Sequence, residues 1–355
     1  MSNDVIVPAN TTPKPRQPWA ASPKDRIETG ALFIGAALLS WILVAVTPMK
    51  GKLAYVAVFF LAFIVIDFIF NYVKRGSAAA KDSVFRGAVT AAIVIAVMPI
   101  VSILATVWIR GHKGLHWTLF TTDMHSATYT DPIAHGGLLH AMLGTALLVI
   151  FAMVLSVPIG ILTAIYLTEI KGRFSRPIKF LVQAMSGVPS IVAGLFILAA
   201  IVYPMTKQYN GVEGSLALAI LMIPTVARTS EEVLLLIPAD LREAGVALGG
   251  TQWRTVMMVV VPAARSGLIT AMILGVARIA GETAPLVLLT GGGDTKNANM
   301  FHGPMGSLPY YIWKGFTQGT PESVTRAWAG ILVLLVLVLV LFGLARYLGN
   351  RKVGK

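Results

Sequence analysis

The sequence has no cysteine, which excludes disulfides, thiolate catalysis and sulfur-ligated metal sites. It is also poor in charge: Asp, Glu, Lys and Arg make up 13% of the chain, against about 25% in a soluble globular protein. No Gly-x-x-x-x-Gly-Lys-Ser/Thr phosphate loop is present, so the chain does not bind and hydrolyse ATP through that device. The six His residues are scattered and form no His-Glu-x-x-His pair. What the chain has instead is apolar surface, with 56% hydrophobic residues and a mean hydropathy of +0.75. A chain of this composition is a polytopic membrane protein. Its formal charge of +13 would suggest a nucleic-acid partner in a soluble protein. Here most Lys and Arg sit between apolar runs, so no nucleic acid is expected, and the basic residues read as topology signals against membrane lipid.

A membrane-spanning helix needs about 20 mainly apolar residues. Eight stretches qualify or nearly so: 29–48, 53–73, 85–108, 138–168, 178–205, 214–227, 262–290 and 327–347. None alternates with the period of a membrane barrel strand, so the expected fold class is all-α, with about eight transmembrane helices. With a cytoplasmic N-terminus, 20 of the 29 Lys and Arg residues fall on inside segments and 8 on outside segments, leaving Arg278 within a span. That bias predicts both termini inside. Residues 1–28 are polar and carry Pro8, Pro13, Pro15, Pro18 and Pro23. They lack the early apolar stretch of a cleavable signal peptide, and a disordered cytoplasmic tail is expected. In the outside segment 291–326, the aromatics of Leu308-Pro309-Tyr310-Tyr311-Ile312-Trp313 suit either an interfacial belt or contact with an extracytoplasmic partner.

The cytoplasmic segment 228–261 is patterned. Asp240 followed by Glu243 has the spacing of a capping box. Leu241, Ala244, Gly245 and Leu248 then form one helix face with two very small residues in its middle. Gly249-Gly250 should end this helix, and a second should begin near Thr251 and run toward Pro262. Such a helix either lets another protein approach closely or lies on the membrane as a plain hairpin.

Glu243-Ala244-Gly245, then Gly249, then Val259-Val260-Val261-Pro262 resembles the EAA loop of bacterial ABC importer permeases, with Gly245 in place of the second Ala. His135 to Thr145, Gly187 to Leu195, Ala227 to Glu232 and Ala277 to Pro285 resemble blocks of the PstA family of phosphate-importer permease subunits. The likeness covers roughly residues 130–348. It implies a six-helix type I ABC importer permease core over 81–350, with two extra helices over 29–80. It further implies that Glu243, Ala244, Gly245, Gly249 and Pro262 couple the chain to a separate pair of ATPase subunits, which carry ATP and Mg; no cofactor is expected in this chain. A second homologous permease of the PstC type and an extracytoplasmic phosphate-binding protein complete the implied assembly, in the inner (plasma) membrane.

Arg278 lies in a run whose only other charge is Glu282. A charge at mid-bilayer costs at least about 2.5–3.5 kcal/mol, so it should face protein or water. Four residues apart on one helix, the two can pair, either as a structural brace or as a transit point for an oxyanion, whose oxygens match a guanidinium fork. Arg228, at the expected end of span six, is a topology anchor or a second pathway residue. Pro158, Pro189, Pro224 and Pro285 are candidate bends. Two other function classes compete. An ion-coupled secondary transporter would need inverted repeats and several intramembrane carboxylates, where this chain offers Asp67 and Glu282. An intramembrane enzyme would need a metal-ligand pair or a Gly-x-Ser-x-Gly element, and Ser186 and Ser190 read better as small-residue packing. Among importers, sulfate or molybdate is the alternative substrate.

Overall fold

The computed structural model describes residues 23–48 and 51–350; most of the expected N-terminal tail lies outside them. In chain order the helices are α1 (Pro23–Val46), α2 (Lys52–Arg75), α3 (Ser77–Gly111), α4 (Trp117–Thr121), α5 (Leu139–Ile165), α6 (Ser175–Ser186), α7 (Ser190–Ile197), α8 (Gly211–Leu235), α9 (Ala239–Ala247), α10 (Gln252–Thr255), α11 (Val261–Ala280), α12 (Ala284–Leu289), α13 (Leu308–Gln318) and α14 (Pro321–Asn350). Wider π-helical turns extend α5 through Tyr166–Ile170 and α7 through Leu198–Thr206, and join α10 to α11 through Val256–Val260. Among the described residues no strand forms beyond one isolated bridge between Gly291 and Met305. The all-α expectation holds for the reason given by the medium: in hydrocarbon every backbone amide must be satisfied within its own segment.

Seven helical stretches are long and apolar enough to cross a membrane, and the bent pair 175–186 and 190–206 would make an eighth. The chain divides into two compact units between Ile103 and Leu104, within α3. In the first unit α1 and α2 form a hairpin whose ends are joined by Lys74 Nζ and Glu28 Oε1 at 2.5 Å. Asp67, buried within α2, would be costly alone at this depth. Arg86 of α3 donates to it at 3.0 Å and Asn71 at 2.8 Å.

In the second unit the centre is α5, α8 and α11, around a buried cluster that includes Leu148, Ala152, Leu221, Met222, Val226 and Ile279. Lipid tails are as apolar as these side chains, so close packing holds the bundle together, and close packing requires small residues. Gly160 of α5 lies against Val226 of α8, and Gly275 of α11 against Val226 and Met222; a Cβ on either glycine would come within 2.8 Å of Val226. Arg326 at the start of α14 is fully buried. It donates to the carbonyls of Asp131 (3.2 Å), Pro132 (2.8 Å) and His135 (2.6 Å), pinning the loop that leads into α5. The aromatic segment is divided by burial: Leu308, Pro309 and Tyr311 pack inward while Trp313 stays exposed.

Two expected spans are interrupted. The stretch 178–205 bends by 106° between Ser186 and Ser190, where Pro189 has extended backbone (ψ 140°); α6 therefore departs sharply from the membrane-crossing segment that follows it. The stretch 262–290 ends its helix at Ala280, and Gly281 to Thr283 separate it from α12. Pro285 sits in the first turn of α12, where its missing N–H costs nothing. The expected short sixth span is instead the continuous α8, which passes through Pro224 and continues to Leu235.

Candidate functional site

The hairpin within segment 228–261 is built from α9 and α10. Its first helix starts without the expected capping box: the N-cap position is Pro238, Asp240 lies inside the first turn, and no side chain caps the helix. Its end is as expected. Gly249 has φ +83°, a left-handed conformation that favours glycine, and Gly250 N donates to Gly245 O at 3.2 Å. Thr251 then caps α10, its hydroxyl accepting from Arg254 N at 3.3 Å.

The five residues expected to couple to an ATPase do not share one face. Glu243 and Ala244 are exposed, as is Pro262 in the first turn of α11. Gly245 is turned inward. A Cβ there would stand 2.9 Å from Thr255 Oγ1 and 3.2 Å from Thr255 Cβ, so the missing side chain is what lets α9 lie on α10. The outward surface is apolar instead: Leu241, Val246, Leu248 and Trp253 are 40%, 55%, 89% and 54% exposed, and no residue of α9 is buried.

Sequence reading did not find the group that fixes this hairpin. Glu169, in the π-helical turn after α5, is buried and receives Arg242 of α9: Nη2 donates to Oε1 at 2.7 Å, and Nε donates to Oε2 at 2.9 Å. Where α8 ends, Arg242 also donates to Ile237 O at 2.6 Å and to Leu234 O at 2.9 Å, the latter also accepting from Ile237 N at 3.3 Å. Gln252 of α10 donates to Glu169 O at 2.5 Å. The carboxylate bonds hold the Arg242 guanidinium charged, raising its pKa above the ordinary arginine value. This pair forms part of the wall of a cavity of about 870 Å³ that Glu243, Val246 and Thr255 also line. The available sequence signal was an acidic residue closing a span in an otherwise basic inner segment; its partner is 73 positions away.

The intramembrane residues are arranged otherwise than expected. Gly275 rests on the middle of α8, and Arg278 lies one turn further along α11. It is exposed on the surface of the chain, whereas Glu282 is half-buried. The helix ends between them, and Glu282 N donates to Ile279 O at 3.2 Å. Among the described residues no ion pair joins Arg278 and Glu282, so the pairing expected from their spacing is not formed. Arg228 is exposed midway along the inner half of α8 and faces Glu232 at 3.6 Å. Glu231 is mostly buried and receives Lys179 of α6 at 2.8 Å.

Residues 156–354 match the family of binding-protein-dependent transport system inner membrane components. The chain is 38% identical over 259 residues to the phosphate transport system permease protein PstA 1 of Mycobacterium tuberculosis, covering 73% of this chain and 84% of the relative. It is 39% identical over 263 residues to PstA of Mycobacterium leprae, covering 73% and 86%. With PstA of Yersinia pestis it shares 37% identity over 245 residues, covering 68% and 81%. With an all-helical bundle, an exposed hairpin and an arginine exposed on α11 already in place, these likenesses establish that the chain belongs to the binding-protein-dependent transport system inner membrane component family, in its PstA group of permease proteins.

Proposed function

We propose that this chain forms half of the transmembrane path by which an ATP-driven importer takes up inorganic phosphate. Arg278 carries the reading. An arginine exposed on a membrane-spanning helix cannot face lipid without a cost of at least about 2.5–3.5 kcal/mol, so this face turns to a second permease and the water-filled path between the two. A PstC-type homologue is the natural partner. In that path the guanidinium offers paired donors to a tetrahedral oxyanion, and Glu282 and Arg228 complete the proposed pathway set. The half-buried carboxylate of Glu282 can accept a hydrogen bond from the P–OH that phosphate still carries near neutral pH, a donor that sulfate lacks.

In the proposed orientation both termini and the α9–α10 hairpin are cytoplasmic, and the segments between α3 and α5 and between α12 and α14 face an extracytoplasmic phosphate-binding protein. The hairpin's exposed apolar surface, with Glu243 and Ala244 on it, docks the ATPase pair, while Gly245 and Gly249 give the hairpin its shape and Pro262 starts the helix that leads from it toward Arg278. ATP and Mg belong to those ATPase subunits, and the chain itself catalyses no reaction. The test is Arg278→Gln in the assembled complex. Phosphate uptake per complex is expected to be lost while the subunits still co-purify. Wild-type uptake per complex would remove Arg278 from the path.

A further inference from the structure

We propose that Glu169 is a positioning residue for energy coupling: through Arg242 it carries movement of the hairpin into the inner end of α5. The proposal rests on the docking of the hairpin by an ATPase. The hairpin is continuous with α8 on one side and with α11 on the other, so those two helices follow its movement through the chain itself. α5 has no such link, and it packs along α8 at the centre of the bundle.

Glu169 supplies the missing connection from both arms of the hairpin. Its carboxylate is held by Arg242 of α9 at 2.7 and 2.9 Å, and its carbonyl by Gln252 of α10 at 2.5 Å. The guanidinium is itself fixed, because its remaining donors are directed at Leu234 O, Ile237 O and, at 3.5 Å, Pro238 O. A nearby apolar cluster of Ala164, Ile165, Leu234, Val256 and Val260 also joins these ends. Apolar contacts are non-directional and tolerate sliding, whereas a two-point arginine–carboxylate contact fixes distance and angle. The pair is also reachable: the 870 Å³ cavity that Glu169 and Arg242 line extends beneath α9 to the exposed Glu243. A side chain of the ATPase that enters the cavity therefore presses on the contact that leads to α5.

The experiment uses the complete complex in proteoliposomes with the phosphate-binding protein, comparing wild type, Glu169→Gln and the double variant Glu169→Gln with Arg242→Gln. Two quantities are read: ATPase subunit retained on purification and phosphate transported per ATP hydrolysed. Retention at the wild-type level with a fall of about tenfold in phosphate per ATP, of the size usual for coupling between sites, is expected in both variants. A wild-type ratio in Glu169→Gln would overturn the proposal. So would recovery of the ratio in the double variant, because the defect would then be an unpaired buried charge, and so would loss of the ATPase subunit, because the pair would then only shape the docking surface. Docking is tested apart from the pair by Leu248→Glu on the exposed face. Retained ATPase and full transport in that variant would refute docking, and the proposal with it.

Discussion

Gly245→Ala measures how tightly the α9–α10 hairpin is closed. The added Cβ would lie 2.9 Å from Thr255 Oγ1 and 3.2 Å from Thr255 Cβ, and inside contact distance of Cγ2. Turning Thr255 about its first torsion can move the methyl and hydroxyl groups toward the cavity it lines but leaves Cβ where it is, 3.2 Å from the added carbon. Overpacking of this kind costs about 1–3 kcal/mol. At about 1.4 kcal/mol per tenfold change, the closed hairpin should lose roughly 5- to 150-fold relative to opened forms. Amide hydrogen exchange over residues 239–255 reads that loss directly, and co-purification of the ATPase subunit reads its consequence. Adding Thr255→Ala removes Oγ1 and Cγ2 and leaves only the 3.2 Å approach, so slow exchange should return, with a coupling energy between the two changes of about 0.5–3 kcal/mol. Wild-type exchange in Gly245→Ala, or no rescue by Thr255→Ala, would refute the inward placement of Gly245.

Arg326→Leu removes a donor from three loop carbonyls around a fully buried side chain; Pro132 O keeps His135 N at 2.9 Å, while Asp131 O and His135 O lose theirs. A loss of about 2 kcal/mol or more is expected from the two unmet acceptors, seen as a lower melting temperature of the purified subunit; an unchanged melting temperature would contradict it. Glu282→Gln should leave protein abundance unchanged, because Glu282 does not neutralise Arg278. A collapse in abundance that Arg278→Gln repairs would show that the two pair in the assembled transporter. A cysteine at Thr251 should resist a membrane-impermeant thiol reagent in intact cells while one at Thr295 reacts, and the reverse pattern would invert the proposed orientation.

The membrane-crossing segments were legible because each is set by its own composition and by the basic residues flanking it. The end of α9 was legible too, since a left-handed turn favours glycine and Gly249 stood where the helix had to stop. The helix breaks were harder to read, because apolar residues on both sides hide them in hydropathy: Gly187 to Pro189 bends a run that looks continuous, and Gly281 to Thr283 ends α11 inside another. That second break undid the expected pairing of Arg278 with Glu282, which assumed an unbroken helical turn. The α9 start failed for a local reason, since the chain rises from Pro238 and leaves Asp240 already inside the helix. Glu169 and Arg242 had no local signature at all. Their meeting depends on how α5 ends against the hairpin, and Arg242, like Arg326, had only its charge to be read until the fold supplied carbonyls around it.

The central claim is tested most directly by ATP hydrolysis in the reconstituted complex of this chain, its partner permease and the ATPase pair, with the binding protein and one anion present at a time. The account predicts that phosphate stimulates hydrolysis and is carried inward, and that sulfate and molybdate do neither. Equal stimulation by sulfate or molybdate, or none by phosphate, would contradict it.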